Sequence, residues 1–128
     1  KATVNIGKLP VINGQKILLR KAVQNLLDNA LKYTRKDVEP LININALDAQ
    51  THWQLAVADN GIGIDRQYFE SIFTIFRRLH NRNEYAGTGI GLDITKKIAE
   101  NIGGKVWVES EVGKGSTFYF DIPKYLDN

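Results

Sequence analysis

Two glycine-rich segments are the strongest candidates for chemistry in this sequence. Residues 59–65 read Asp-Asn-Gly-Ile-Gly-Ile-Asp, residues 87–92 read Gly-Thr-Gly-Ile-Gly-Leu, and together they contain five of the eleven glycines. Glycine allows a backbone to approach a ligand closely and to adopt positive φ. Because the stretch between the two segments has little regular pattern, we predict a hinged flap that covers a flat, phosphorylated ligand.

Asp59 is the candidate ligand-binding carboxylate of the first segment. An Asn-Gly pair after an alternating strand usually indicates a hairpin, yet here the chain continues into a predicted helix and no returning strand follows. A carboxylate at the end of a strand can accept a hydrogen bond from the amine of a base, while the glycine backbone leaves room for the ring. We therefore interpret this segment as a base-binding site.

The second segment leads into a predicted helix N-terminus, where unpaired N–H groups and the helix dipole favour phosphate. By itself it is a weak signal, since it lacks the dinucleotide pattern G-x-G-x-x-G and no strand precedes it. Residues 113–117 (Gly-Lys-Gly-Ser-Thr) look like part of a P-loop, but the first glycine of that pattern is missing. We interpret them as a hairpin turn, with Thr117 as a candidate ligand contact.

The first predicted helix carries a polar stripe of Asn25, Asn29 and Lys32, which fall within roughly 60° of one another around the helix axis. Asn is a poor helix former, so two stacked Asn suggest a function. The carbonyl oxygen of Asn suits Mg²⁺, and Lys32 supplies positive charge to a phosphate. For this helix alone, the simpler alternative is a solvated face that also includes Lys21 and Asp28.

The composition limits the class of protein. A chain of 128 residues, 43% hydrophobic and 24% charged, fits one globular domain. A net charge of +3 is too mild, and lysine and arginine are too scattered, to indicate nucleic acid binding. The lack of cysteine excludes disulfides, thiolate nucleophiles and Cys-type zinc sites. No apolar run approaches the ~18 residues of a membrane span, and a reducing cytoplasm is compatible with this composition.

Hydrophobic periodicity predicts an α+β fold, a two-layer α/β sandwich of about three helices on a mainly antiparallel mixed sheet. One helix covers residues 15–34, a short one follows Asp65, and the last opens at Gly89 or Gly91 and closes at residues 103–104 (Gly-Gly). Alternation predicts strands at residues 2–6, 41–46, 53–58, 105–110 and 116–122, with residues 9–12 as an edge segment. Since the sequence contains no Met, even at position 1, we expect residues 1–128 to be one domain of a longer protein.

In chain order these segments resemble the ATP-binding catalytic domain of sensor histidine kinases, within the gyrase, Hsp90, histidine kinase and MutL ATPase group (the Bergerat fold). Residues 24–34 match the N box and residues 59–64 and 87–92 the two glycine boxes. Residues 72–76 with Arg78 match the F box, and residues 115–118 match the last motif. The sequence of residues 76–80 and of residues 107–110 is most similar to that of phytochrome-type kinases.

The resemblance implies that Asp59 hydrogen-bonds the adenine amine, with Gly63 and Thr117 nearby. It implies that Asn29 ligates Mg²⁺ and that Asn25 contacts the ion or a phosphate indirectly. The residues that it places around ATP are Asn25, Asn29, Lys32, Tyr33, Asp59, Gly61, Gly63, Ile64, Phe76, Gly87, Thr88, Gly89, Ile90, Gly91, Leu92 and Thr117. Those that it implies for catalysis are Asn25, Lys32 and Arg78, with Arg77 and His80 as alternatives to Arg78 at the γ-phosphate.

One position separates kinases from hydrolases in this group. The hydrolysing relatives carry a Glu general base four residues before the Mg²⁺-binding Asn, and here that position is Asn25, which cannot accept a proton. The resemblance therefore implies transfer of the γ-phosphoryl group to a histidine on a separate dimerisation domain, and from there to a response regulator. We expect this piece to be monomeric and cytoplasmic, and the longer protein to be a homodimer, soluble or membrane-attached.

Two other functions are alternatives to the kinase function, a non-catalytic nucleotide sensor and a nucleic-acid-binding domain. A non-catalytic nucleotide sensor would keep Asp59 and the glycines but lose the Mg²⁺-binding Asn or the flap, and both are present. A nucleic-acid-binding domain would need aromatic rings exposed on a sheet beside Lys or Arg. Trp107 and Tyr119 are candidates for such rings, but this function leaves the glycine boxes unexplained.

Overall fold

A computed structural model describes residues 2–7, 16–73 and 90–124. Within these ranges it has five strands, two α-helices and two 3-10 turns, and side chains at residues 16–18, 90 and 91 are not described. The elements are β1 Thr3–Ile6, α1 Lys16–Lys32, β2 Leu41–Asp48, β3 His52–Asp59, the 3-10 turns Arg66–Tyr68 and Ser71–Phe73, α2 Ile90–Asn101, β4 Val106–Glu111 and β5 Gly115–Pro123.

The five strands form one sheet in the order β1-β2-β3-β5-β4. β1 is parallel to β2, and every other pair is antiparallel, which confirms the prediction of a mainly antiparallel mixed sheet. Short turns join β2 to β3 and β4 to β5, and each turn contains a residue with positive φ, Gln50 at 72° and Gly113 at 83°. The central strand β3 ends at Asp59, so the hydrogen bonds of both neighbouring strands fix the position of that carboxylate.

The core lies between one face of the sheet and the two helices. Because strand side chains alternate between faces, the buried hydrophobic residues of β2, β3 and β5 occupy alternate positions on that face. These buried residues are Ile42, Ile44, Leu55, Val57, Phe118, Phe120 and Ile122. They pack with Ala22, Leu26 and Ala30 of α1 and with Ile98 and Ala99 of α2. The predicted sandwich of helices on one side of a sheet is confirmed.

The opposite face of the sheet carries Trp107 and Tyr119 side by side on β4 and β5. Their rings stack on each other, with centroids 5.2 Å apart and an angle of 20° between the planes. Lys105 lies over the Trp107 ring, and the Tyr119 hydroxyl donates to Glu109. Both rings therefore already have partners within the domain. The Glu109 carboxylate beside them would repel the phosphates of a nucleic acid.

The helix boundaries follow the sequence signals closely. α1 is two residues shorter at its C-terminal end than predicted, and α2 covers Ile90–Asn101, while Gly89 lies outside the described residues. Gly103 adopts a φ of 83° just after α2, as expected for a C-cap. The short helix predicted after Asp65 is instead two separate 3-10 turns, the first capped by the Asp65 side chain. The predicted edge segment at residues 9–12 lies outside the described residues, and so does the part of the predicted flap that follows residue 73.

In the ranges that the structure describes, no helix is long and apolar enough to cross a membrane.

Candidate functional site

The C-terminal end of α1 meets the first glycine segment through backbone contacts. The Ile62 N–H donates to the Tyr33 carbonyl at 3.0 Å. A Cβ on Gly61 would overlap that same carbonyl and touch Oδ1 of Asp59. Gly61 is therefore required by the approach of two protein segments, and this approach sets how far Asp59 lies from the polar stripe of α1.

Asp59 is a partly buried carboxylate whose two oxygens differ in the hydrogen bonds that they accept. Oδ1 accepts hydrogen bonds from the Gly61 N–H at 2.9 Å and the Ser116 N–H at 3.2 Å. Oδ2 accepts no hydrogen bond from the part of the chain that the structure describes, and it is not among the buried unpaired atoms. The backbone thus fixes the carboxylate while one oxygen stays available to a ligand.

Burial raises the pKa of Asp59, and the hydrogen bonds from Gly61 and Ser116 oppose this rise. In the unfolded chain the pKa has its lower, ordinary value. Ionised Asp59 therefore costs folding free energy, and its most favourable contribution, present below the unfolded pKa, is lost as the pH rises through the folded pKa. A buried carboxylate held in spite of this cost is typical of a functional site.

The raised pKa gives a first prediction about pH. Only the ionised carboxylate can accept a hydrogen bond on both oxygens, so ligand affinity falls as the pH drops through the folded pKa. We expect the fall to begin at a higher pH than for an ordinary aspartate, and titration calorimetry across acidic pH measures it. The Asp59→Asn variant serves as the control, because it should lose this pH dependence. An affinity that stays constant until ordinary aspartates titrate would contradict the prediction.

Two serines, Ser110 and Ser116, complete the support of Asp59. The Ser110 hydroxyl accepts from the Ile64 N–H at 2.7 Å, donates to the Gly115 carbonyl at 2.8 Å and lies 2.7 Å from the Ser116 hydroxyl. Ser116 is 7% exposed and pairs directly with Asp59 across the β3–β5 ladder. Neither serine was predicted, although strand alternation counted back from buried Phe118 points Ser116 toward the same face as Asp59.

The strand register turns the Thr117 side chain away from Asp59, and the predicted ligand contact by Thr117 stays a prediction. Thr117 pairs with Ala58 on β3, one residue away from Asp59. Since neighbouring strand residues point to opposite faces, the Thr117 side chain lies on the open face with Trp107 and Tyr119. Ser116 is the residue of this motif that faces Asp59.

The first glycine segment is also held by the side chain of Arg35 and by that of its own residue Asn60. Arg35 donates from Nε to the Asn60 carbonyl and from Nη1 to the Gly113 carbonyl, both at 2.9 Å. The Asn60 side chain accepts from the Leu41 N–H at 2.8 Å and donates to the Glu39 carbonyl at 3.0 Å. Nothing in the local sequence pattern indicated these roles, because each partner is distant along the chain.

The polar stripe of α1 lies between its buried and its exposed faces. Asn25 and Asn29 are partly buried, whereas Gln24 and Asp28 are exposed and hydrogen-bonded to each other at 2.8 Å. Lys32 is exposed in the last turn, where its charge also complements the helix dipole. The two asparagines are therefore set apart from the solvated face that was the simpler alternative.

Five more of the predicted site residues lie in the described ranges, and their contacts with a ligand stay predictions. Gly63 adopts a φ of 79° against the Glu111 carbonyl, and Ile64 is buried in the core. Ile90 and Gly91 form the first turn of α2, and Leu92 is 5% exposed. Phe76, Arg77, Arg78, His80, Gly87, Thr88 and Gly89 lie outside the described residues, so their predicted roles stay predictions.

Asp93 follows the second glycine segment in the first turn of α2. Its Oδ1 atom is buried and finds no hydrogen-bond partner among the residues that the structure places. The described ranges also contain no group of three or more His, Cys, Asp or Glu residues that could hold a metal ion.

Comparison with known proteins places this geometry in a family. The model of the histidine kinase-, DNA gyrase B-, and HSP90-like ATPase family matches residues 14–126. The chain is 49% identical over 122 residues to phytochrome-like protein Cph1 of Synechocystis sp., covering 95% of this chain and 16% of that protein. It is 39% identical to adaptive-response sensory kinase SasA of Synechococcus elongatus, covering 93% of this chain and 30% of that protein. The chain thus spans a minor part of both relatives.

Solved structures show the same fold. The catalytic domain of histidine kinase ThkA superposes with a TM-score of 0.77 at 26% identity, covering 98% of this chain and 80% of that one. Full-length ShkA in complex with AMPPNP gives a TM-score of 0.76 at 28% identity, covering 99% of this chain and 26% of that one. Mycobacterial sensor histidine kinase MprB gives 0.84 at 24% identity, which shows the fold alone, over 98% of this chain and 86% of that one. From the extent of these matches, the chain belongs to the histidine kinase-, DNA gyrase B- and HSP90-like ATPase family, as an ATPase domain of the histidine kinase type.

Proposed function

We propose that this domain binds Mg·ATP and passes the γ-phosphoryl group to a histidine carried by another domain, in two-component signal transduction. The observation that carries the proposal is the partly buried Asp59 carboxylate, whose Oδ1 is fixed by two backbone N–H groups and whose Oδ2 accepts no hydrogen bond from residues 2–7, 16–73 or 90–124. An adenine presents an amine that donates to such an oxygen. The AMPPNP complex of ShkA, a protein of the same fold, supports an adenine nucleotide as the ligand.

The α1 stripe fits the phosphate end of the nucleotide. Tyr33 directly follows α1, and its carbonyl accepts a hydrogen bond from the Ile62 N–H. This contact holds the end of the helix close to the segment after Asp59, which supports placing both in one site. Lys32 would place its charge beside the phosphates. The backbone N–H groups at the start of α2, including Gly91, would receive the anionic tail, as helix N-termini do. Gly87 and Gly89 are proposed to extend this contact.

Asn29 is the residue proposed to hold Mg²⁺. A magnesium ion bound with ATP keeps water and phosphate oxygens as most of its ligands, so one amide oxygen from the protein is sufficient. Asn29 is partly buried and its side chain makes no hydrogen bond to the described ranges, so its carbonyl oxygen can serve. The ion would supply charge neutralisation for phosphoryl transfer.

Asn25 favours transfer over hydrolysis in this proposal. An amide cannot accept the proton of an attacking water, whereas a histidine ring nitrogen is a nucleophile without a base. The ring nitrogen would form a bond to the γ-phosphorus as the bond to the ADP oxygen breaks, so alignment by the domain is the main requirement. Arg78, or else Arg77 or His80, is proposed to approach the γ-phosphate.

The histidine would come from a dimerisation and phosphoacceptor domain, and a response regulator would receive the phosphoryl group next. Both partners are proposed because the relatives Cph1 and SasA are much longer than this chain. Neither His52 nor His80 is followed by the acidic residue typical of a phosphoacceptor site.

Phosphoryl transfer in trans tests the function. We expect the domain, mixed with a separate phosphoacceptor domain, Mg²⁺ and ATP, to form acid-labile phosphohistidine on the acceptor. Asn29→Ala should slow transfer at least about tenfold, as loss of a metal-site contact does. Gln24→Ala, an exposed change on the same helix, should leave the rate unchanged. Release of free phosphate without phosphohistidine would contradict the kinase assignment.

A further inference from the structure

Three segments that are distant in sequence are joined by hydrogen bonds next to Asp59. They are the loop after α1, the first glycine segment and the turn between β4 and β5. The Ile62 N–H donates to the Tyr33 carbonyl, and the Gly113 N–H donates to the Ile62 carbonyl at 2.8 Å. Ile62 therefore bonds to both of the other segments through its own backbone.

Arg35 closes this arrangement with its side chain. Its guanidinium donates to the carbonyls of Asn60 and Gly113, so one planar group joins the glycine segment to the β4–β5 turn. Arg35 itself lies two residues after Tyr33 and is partly buried. It thus holds all three segments together, and a fork of fixed donors is well suited to two separate carbonyls.

We infer that Arg35 is a positioning residue for nucleotide binding, acting through Asn60 and Gly113. The inference rests on the proposed function, because it concerns the distance between the base-binding carboxylate and the phosphate-binding end of α1. Asn60 directly follows Asp59, and Arg35 lies two residues after Tyr33, close to the end of α1 that is proposed for the phosphates. A fixed link between them sets the separation at which one ligand reaches both.

The link acts on the free protein, before any ligand arrives. Losing a hydrogen bond that involves a charged donor costs more than losing a neutral one. Without the Arg35 side chain, the backbone bonds of Ile62 to Tyr33 and Gly113 would remain. The two bonds from Arg35, to the Asn60 carbonyl and to the Gly113 carbonyl, would be lost. ATP would then have to restore the spacing itself, and this cost would appear as weaker binding.

The test compares Arg35→Ala with Lys36→Ala, its exposed neighbour of the same charge. We expect Arg35→Ala to weaken ADP binding about tenfold and to speed hydrogen exchange of the Ile62 and Gly113 amides without ligand. The Leu55 amide in the middle of β3 should exchange as before. Lys36→Ala should change none of these, and Arg35→Lys, with one ammonium for two carbonyls, should fall between.

The outcomes separate this inference from the proposed function. If the Ile62 and Gly113 amides of Arg35→Ala exchange faster but its ADP affinity is unchanged, the positioning role is overturned. Arg35 would then contribute only to local stability. If the Ile62 and Gly113 amides exchange as before in Arg35→Ala, Arg35 does not hold these segments together. If the unaltered protein binds no ADP, the proposed function fails and the positioning role with it, while the exchange data still report on the tie. Should Arg35→Ala fail to fold, the same comparison of Arg35→Lys with Lys36→Ala decides.

Discussion

Replacing Asp59 by Asn should weaken ATP binding about a hundredfold or more without unfolding the domain. The Asn carbonyl oxygen can keep the two bonds from Gly61 and Ser116, which leaves the NH₂ group where Oδ2 meets the ligand. A donor would then face the amine of the base. Losing a hydrogen bond between a charged group and its partner costs about 1.5–3 kcal/mol, each 1.4 kcal/mol is about tenfold in affinity, and the opposed donors add to this loss.

Titration calorimetry with ATP, together with thermal unfolding, measures both halves of this result. Burial raises the pKa of Asp59, so removing its charge should leave the free energy of unfolding at neutral pH unchanged or higher. Asp65→Asn is the matched control, since Asp65 is an exposed carboxylate of the same segment whose capping bond Asn can also make. Equal ATP affinity in Asp59→Asn and the unaltered protein would remove the main support for the proposed site.

Gly115→Ala should destabilise the domain far more than Gly113→Ala. Both glycines have positive φ, 130° and 83°, so both changes introduce backbone strain. A Cβ at Gly115 would also overlap the Asp59 carbonyl and press on Cα of Asn60, whereas a Cβ at Gly113 meets open space. We expect a loss of about 1 kcal/mol for Gly113→Ala and about 3 kcal/mol or more for Gly115→Ala.

Urea unfolding of the two variants measures this difference, and the pair controls for the shared effect of φ. The backbone that Gly115 would displace belongs to Asp59 and Asn60, so Gly115→Ala should also weaken ATP binding in molecules that remain folded. Two variants of equal stability would show that β5 can move away from the end of β3. The register of Asp59 opposite Ser116 would then not be a fixed feature of the site.

The sequence signals were most reliable where function and local structure coincide. Asp59 was identified from one local fact, a strand that ends at a carboxylate and is followed by glycine with no returning strand. The structure gives the glycines an additional reason, because Gly61 and Gly63 each lie against a carbonyl of another segment. A single sequence does not distinguish close approach of a ligand from close approach of the protein's own backbone.

Thr117 and Ser116 show the opposite case. The motif at residues 115–118 was recognised as a unit, but which of its two hydroxyls faces the site depends on strand register. That register is set by the pairing of β5 with β3, a contact between residues far apart along the chain. Arg35 was missed for the same reason, since its two acceptors lie 25 and 78 residues away.

By itself, the sequence predicted the α+β class, the two long helices and the five strands of the described ranges to within a few residues, and a candidate ligand-binding carboxylate at the end of a strand. These follow from periodicity, capping and turn chemistry, which act over a few neighbouring residues. Only the tertiary structure decided which oxygen of Asp59 accepts the two backbone hydrogen bonds, which serine supports it and which arginine joins the surrounding segments. Those features depend on hydrogen bonds between distant segments, and their partners are defined only when the sheet has assembled.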